Sequence, residues 1–427
     1  MPNQAATRPI AIDLFSGAGG LSLGFEQAGF DVVTAVDVDP IHALTYQYNF
    51  PQAKILCRDV SSVRGADLVD AARGHLDAQG GAWSGEVDCV AGGPSCQGFS
   101  AIGGRDPDDP RNSLVLEFAR IVAEVQPRCF VLENVPGLLR PAYDAIRGRL
   151  LSTLRDSGFS FDDDPWILDA YDFGVPQRRR RVFLVGVRGD LARPVMPAGA
   201  EHLTAADAIG DLLAVRRFPT QSNDDELVLS SAELAALEDA ASPFAKRLRG
   251  ATTPHDLSAP RRWNPALLTG VSGTVHSDEV RSRLGSIPLG KREPQSRLPK
   301  LDPKKPSPTL RAGTGREHGS HTPVRPVHYS LPRVITVREA ARLHAFPDWF
   351  RFHSTRWHAL RQIGNSVPPP LGRAVASALV AVLGVTPVAH GAVELGDAKR
   401  LKLSLGEAAR ELNVPASQLP PPRRRAA

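Results

Sequence analysis

Ile10-Ala11-Ile12-Asp13-Leu14-Phe15-Ser16-Gly17-Ala18-Gly19-Gly20 is an apolar run that gives way to a glycine-rich turn. The pattern reads as a buried strand feeding a tight loop and then a helix. α/β sheets begin this way around a cofactor, because glycine lets the backbone turn sharply and approach a ligand closely. The dinucleotide fingerprint G-x-G-x-x-G is not met, since Ser22 stands where its last glycine would fall. That spacing counts against a nicotinamide oxidoreductase.

Outward from this loop, the runs Val32 to Val36, Val87 to Ala91, Cys129 to Leu132 and Val182 to Val187 alternate with amphipathic stretches. Strands alternating with helices imply an open, mostly parallel α/β sheet over residues 1–187. Asp37 ends the second run, where a carboxylate can accept from both ribose hydroxyls of a nucleoside. Asp59, after Ile55 to Cys57, could similarly reach an adenine amino group. Each is equally consistent with a helix cap or turn residue.

The text changes at about residue 188. Residues 188–333 are rich in Pro, Arg, Ser and Gly, with Pro303, Pro306 and Pro308 close together, and read as a small irregular domain or a partly disordered one. Order resumes over 334–385, where Thr336 followed by Glu339 fits a capping box and Ala374 to Leu383 reads as a closing apolar helix. Residues 386–427 end in prolines and arginines and read as a basic, mobile tail. A formal charge of +5 favours a polyanionic partner. The polar start, with no signal-peptide core or membrane-length apolar span, points to the cytoplasm and away from a membrane. Cys57, Cys89, Cys96 and Cys129 lack C-x-x-C pairing, which argues for free thiols over disulfides or structural zinc.

Gly92-Gly93-Pro94-Ser95-Cys96-Gln97-Gly98-Phe99-Ser100 places a cysteine directly after a buried strand, where α/β enzymes keep their nucleophiles. Cys89 and Cys129 instead sit inside apolar runs and read as small buried residues. With Glu133-Asn134-Val135, Gln177-Arg178-Arg179-Arg180-Arg181, Thr336-Val337-Arg338-Glu339 and Gln362-Ile363-Gly364-Asn365-Ser366-Val367-Pro368, these segments recur in the order and spacing of a known family. The chain resembles the DNA (cytosine-5)-methyltransferases of bacterial restriction-modification systems. It departs from them at Ser95, where the family usually has a second proline; the expected result is a slightly looser loop.

The resemblance implies a Rossmann-like, S-adenosyl-L-methionine-dependent large domain with a small, irregular target-recognition domain over 188–333. It assigns Cys96 as the nucleophile toward cytosine carbon-6 and Glu133 as the group that protonates or holds ring nitrogen N3. Arg179 and Arg181 would contact the phosphate or cytosine O2 and orient Glu133. In a strand these two share a face, leaving Arg178 and Arg180 on the other. The cofactor is expected at Phe15, Gly17, Gly19, Gly20, Asp37, Val38, Asp59, Val60, Leu114 and Asn365. Double-stranded DNA is the implied partner, with a cognate restriction endonuclease acting on the same site, in a bacterial cytoplasm and associated with the nucleoid. The target cytosine must leave the duplex to be reached, and Gly98 to Arg111 has the composition of a lid over it. Arg261, Arg262, Arg281, Arg283, Arg311 and Arg316 are candidate DNA contacts, and Thr309 is expected near the flipped base.

Two further readings keep the fold. A few family members methylate transfer RNA, against which the long Arg- and Pro-rich middle weighs. A catalytically silent DNA-binding regulator is disfavoured by intact Cys96, Glu133, Arg179 and Arg181.

Overall fold

The computed structural model describes residues 8–78, 80, 83–95, 98–99, 109–220, 225–251, 253, 255–313, 325–415 and 418–419. Its centre is one sheet built from β1 (Ile10–Leu14), β2 (Asp31–Asp37), β3 (Lys54–Cys57), β4 (Cys89–Gly92), β5 (Cys129–Asn134), β6 (Phe159–Phe161), β7 (Trp166–Asp169) and β8 (Arg180–Arg188). The order is β3-β2-β1-β4-β5-β8-β6, with β7 also paired to β8. Strands β1 to β5 pair in parallel, and β8 runs antiparallel to β5, β6 and β7. The chain winds outward from β1 to β3, then crosses back to β4 on the other side of β1. This reversal opens a crevice at the carboxyl ends of β1 and β4.

Both faces of the sheet are covered, so its strands read as near-continuous apolar runs and alternate residues serve different layers. Ala11, Ala35, Ala91 and Val131 face helices α1 (Gly20–Ala28) and α2 (Pro40–Asn49), while Ile12, Val36, Val90 and Leu132 face α3 (Gly65–Ala78), α4 (Leu114–Val125) and α5 (Asp144–Asp156). Cys89 and Cys129, paired across β4 and β5, are free thiols buried in the first layer. Small residues there let α1 lie close to the sheet.

The middle region holds only short elements: α6 (Ala205–Ile209), β9 (Glu226–Val228), α7 (Ser231–Ala240), α8 (Pro243–Leu248), β10 (Arg261–Arg262), β11 (Leu267–Thr269) and α9 (Asp278–Ser286). Capping boxes at Thr204/Asp207 and Ser230/Glu233 start two of these helices. The chain then returns through α10 (Val337–Leu343), α11 (Arg356–Asn365) and α12 (Pro369–Leu383). The expected box at Thr336 and Glu339 opens α10. Arg342, fully buried, forks between Asp211 and Asp348 and ties α10 to the middle region. Arg342, Arg338 and Arg249 outweigh burial and hold Asp348 down at about 2. Residues 356–383 together are long and apolar enough for a membrane span, but the helix breaks between Asn365 and Pro369 and α12 packs on α1.

The tail expected from residue 386 is structured through Pro415. It adds β12 (Val393–Glu394), parallel to β10, and α13 (Leu405–Glu411), whose Ala408 is buried against Ile41 and Leu44 of α2. Leu401 is buried, its carbonyl accepting from Ser354 N. A few well-placed apolar residues suffice to dock this strap, although its average composition is polar. Arg261, a candidate DNA contact by sequence, is instead buried in a bidentate pair with Glu26 of α1. Arg262 pairs with Glu394 and Arg283 with Glu293.

Candidate active site

The loops that follow β1, β2, β4 and β5 all open on the same rim of the sheet. Because β8 is antiparallel, its first residues reach that rim as well. Glu133 lies opposite Phe183 in the β5–β8 register, so Arg181, two residues before Phe183, shares its face as a diagonal neighbour. Arg181 Nε meets Glu133 Oε1 at 2.8 Å, both side chains about one-tenth exposed. Burial raises the Glu133 carboxyl above its ordinary value, and Arg181 and Arg179 oppose that rise without cancelling it. A β-carbon on Gly93 would fall 2.7 Å from Glu133 Oε2, so the glycine makes room for the carboxylate directly against the cysteine-bearing loop.

Cys96 itself, with Gln97 and residues 100–108 of the expected lid, lies outside the described residues. The chain to either side is firmly held. Asn134 Nδ2 donates to Pro94 O at 3.2 Å, and Tyr143 Oη donates to Gly98 O at 2.7 Å. Phe99 packs edge-on against Tyr143, and a β-carbon on Gly137 would strike Phe99 O. Asn134 and Tyr143 were not singled out from sequence: Asn134 belongs to a recognised motif, while nothing local marks Tyr143.

Arg179 is set deeper than Arg181. It is buried and brackets three backbone carbonyls, Leu310 O at 2.9 Å, Gly364 O at 2.7 Å and Ser366 O at 2.9 Å. It influences Glu133 through its charge, while Arg181 supplies the direct contact. Arg178 and Arg180 are exposed on the opposite side, Arg178 stacking over Tyr171. Gln177, which the sequence placed in a motif without a role of its own, accepts from Leu310 N through Oε1 and donates to Leu343 O and His344 Nδ1. Burial keeps His344 neutral, and its Nε2 donates to Ser366 O. Thr309 Oγ1 donates to Arg178 O at 2.6 Å.

At the other end of the rim, Phe15 adopts a left-handed backbone with φ 60°, an uncommon state for a bulky residue and one that concentrates at functional sites. Gly17, with φ 56°, has nothing within 4 Å of where a β-carbon would stand. That open space is the cradle a cofactor needs. Gly19 and Gly20 answer to packing, since β-carbons there would strike the Phe50 ring and Val367 O. Asp37 accepts from Gly17 N and Asp39 N, each at 2.8 Å, with His42 Nδ1 3.4 Å away. A carboxylate has about four acceptor directions, so these bonds orient Asp37 and leave it able to accept from a ligand. Asp59 caps the turn at Val60 to Ser62, accepting from Ser61 N, and its carboxylate remains exposed. Val38 is exposed, Val60 is buried beneath the turn, and Leu114 opens α4. Asn365 is exposed at the end of α11, next to Ser366, which packs on Gly20. Ser22, which breaks the dinucleotide fingerprint, donates to Asp13 Oδ2 at 2.5 Å and bonds Tyr46 Oη at 3.0 Å. Burial pushes Asp13 up to about 7.

The model of the C-5 cytosine-specific DNA methylases matches residues 10–381. The Type II methyltransferase M.XorII of Xanthomonas oryzae pv. oryzae is 43% identical over 410 residues, covering 96% of this chain and 93% of its own. M1.HphI of Haemophilus parahaemolyticus is 33% identical, covering 86% of each. Among solved structures, an E. coli prophage protein described as a DNA modification methyltransferase superposes with a TM-score of 0.71 at 33% identity, covering 88% of this chain and 99% of that one. With its rim loops, its Glu133–Arg181 pair and a family match across most of its length, this chain belongs to the C-5 cytosine-specific DNA methylases.

Proposed function

We propose that the protein methylates carbon-5 of a cytosine flipped out of duplex DNA, as the modification arm of a bacterial restriction-modification system in the cytoplasm, beside an endonuclease of the same specificity. The Glu133–Arg181 pair carries this reading: a buried acid with a raised pKa, aimed at the loop that bears Cys96.

Carbon-5 of cytosine is too weak a nucleophile to accept a methyl group directly. The Cys96 thiolate adds to carbon-6, and Glu133 delivers a proton to N3 as negative charge develops there, leaving carbon-5 enamine-like. Burial suits Glu133 to this task because it keeps the proton available closer to neutral pH. S-adenosyl-L-methionine, when bound, supplies the electrophilic methyl group. Phe15, Gly17, Asp37, Val38, Asp59, Val60, Leu114 and Asn365 would hold it, with Asp37 accepting from the ribose and the tightly packed Gly19 and Gly20 fixing the path of the loop around it. Loss of the carbon-5 proton to water then expels Cys96 as the thiolate, and N3 returns its proton to Glu133.

The test is transfer of labelled methyl to unmethylated duplex DNA by the wild type and by Cys96→Ala, followed by bisulfite sequencing. Label at cytosine-5 with the wild type alone is expected. Transfer that survives in Cys96→Ala, or label that enters transfer RNA and not duplex DNA, overturns the proposal.

A further inference from the structure

Where the middle region meets α11, positive charge gathers with no acid to balance it among the described residues. Arg325 Nη1 donates to Thr274 Oγ1 at 2.8 Å, and Arg356 Nη1 reaches the same hydroxyl at 3.4 Å and also Gly273 O. Two guanidinium groups thus converge on one small hydroxyl. Burial, with Arg356 adding to it, lowers Arg325 to about 10, and no carboxylate among the described residues offsets this. His276, on the same loop, is held below its ordinary value by burial and by the cations Arg325, Arg281, Arg333 and Arg356. Of these, Arg333 is spent on Glu339, and Arg281 approaches exposed Asp278 only at 4.0 Å. Arg356 opens α11, whose first turn contains no acidic residue.

Arg325, Arg356 and Thr274 are each half-buried, which leaves the cluster partly open to solvent. Val275, between Thr274 and His276, is 79% exposed. Arg325 and Arg311 border a shallow cleft floored by Leu310, Ile335, Leu360 and Ile363. Leu310 is the residue whose carbonyl Arg179 grips, two positions before Arg181, so the cleft adjoins the catalytic rim. A partly desolvated pair of like charges is costly unless an anion arrives to share them, and arginine's planar fork suits phosphate oxygens.

We propose that Arg325, Arg356 and Thr274 form a clamp for one backbone phosphodiester of the DNA substrate, a site that positions the duplex without reading its sequence. It rests on the DNA-methylating reading above. Thr274 holds the two guanidinium groups side by side, and His276, kept neutral, adds no competing charge. A phosphate contact of this kind releases counterions whatever the base sequence.

The test is the affinity of the full chain for a random-sequence 30-base-pair duplex over a range of salt, for the wild type, R325Q/R356Q and R325K/R356K. Loss of one phosphate contact is expected to flatten the slope of log K against log salt by about 1 and to weaken binding roughly tenfold at physiological salt. The lysine pair should retain most of the slope, and S-adenosyl-L-methionine affinity should be unchanged throughout, which reports an intact fold. A slope equal to wild type in R325Q/R356Q overturns the clamp. If that variant fails to bind the cofactor, R356Q alone carries the test, and a wild-type slope there has the same meaning. A wild type without salt-dependent duplex binding would instead refute the DNA-substrate reading and take the clamp with it.

Discussion

Replacing Arg181 with Ala removes the only direct ionic partner of Glu133 seen among the described residues. Breaking a buried pair by deleting one member typically costs about 3–5 kcal/mol, because a charge is left uncompensated. Glu133 can escape part of that cost by taking up a proton, at about 1.4 kcal/mol for each unit its pKa rises. Its folded pKa is already raised by burial, so the protonated form is the one the fold favours. The stability it contributes is present at low pH and is lost as pH climbs through the raised value. Deleting Arg181 pushes that value higher still, so the gap between variant and wild type widens with pH. We expect Arg181→Ala to be less stable by about 3 kcal/mol at pH 8 and about 1 kcal/mol at pH 5, read from urea denaturation. Adding Glu133→Gln to Arg181→Ala should recover most of the loss and flatten the pH dependence, since the two residues touch. A loss that is the same at both pH values, or a double variant with strictly additive costs, would refute the reasoning.

Gly17→Ala should fold with a penalty of about 1–2 kcal/mol for a left-handed alanine yet bind S-adenosyl-L-methionine at least roughly tenfold more weakly by calorimetry, its methyl group occupying the open cradle. Gly20→Ala should do the reverse, losing about 1–3 kcal/mol of stability through its clash with Val367 O and showing an altered cofactor affinity only once the fold loosens. Arg261→Ala should cost about 3–5 kcal/mol in denaturation while leaving the salt slope of duplex binding at the wild-type value, because its charge is consumed by Glu26. Leu401→Ala should lower stability by about 2–5 kcal/mol if the carboxyl-terminal strap is docked as seen; an unchanged denaturation midpoint would mean that it is not.

The parallel core was legible because its strands are buried on both sides and therefore stand out as unbroken apolar runs. The runs at Ile10, Val32, Cys129 and Val182 begin within about two residues of β1, β2, β5 and β8, as expected for strands covered on both faces. Strands β6 and β7 carry three and four residues, too few for a period to register beside the aspartates of 162–164. The strap after residue 386 was misread because composition averages over a segment, whereas docking depends on single residues such as Leu401 and Ala408. At the rim, Glu133 could be named from its motif and its strand end. The bracket made by Arg179 could not, because its partners at 310, 364 and 366 are brought to it only by the fold. Arg261 failed for the same reason: a surface cation and a buried one look alike until the acid opposite is known.

Arg179 has a consequence for how the two substrates communicate. One guanidinium grips the segment at Leu310, bordering the proposed phosphate clamp, and the segment at Gly364 to Ser366, bordering the proposed cofactor pocket. Neither strand of chain can shift without stretching a bond the other depends on. Any adjustment of the first segment on contact with DNA would therefore be felt as a change in grip on the methyl donor. Thermodynamic linkage makes that influence mutual: the factor by which duplex alters affinity for the donor is the factor by which the donor alters affinity for duplex.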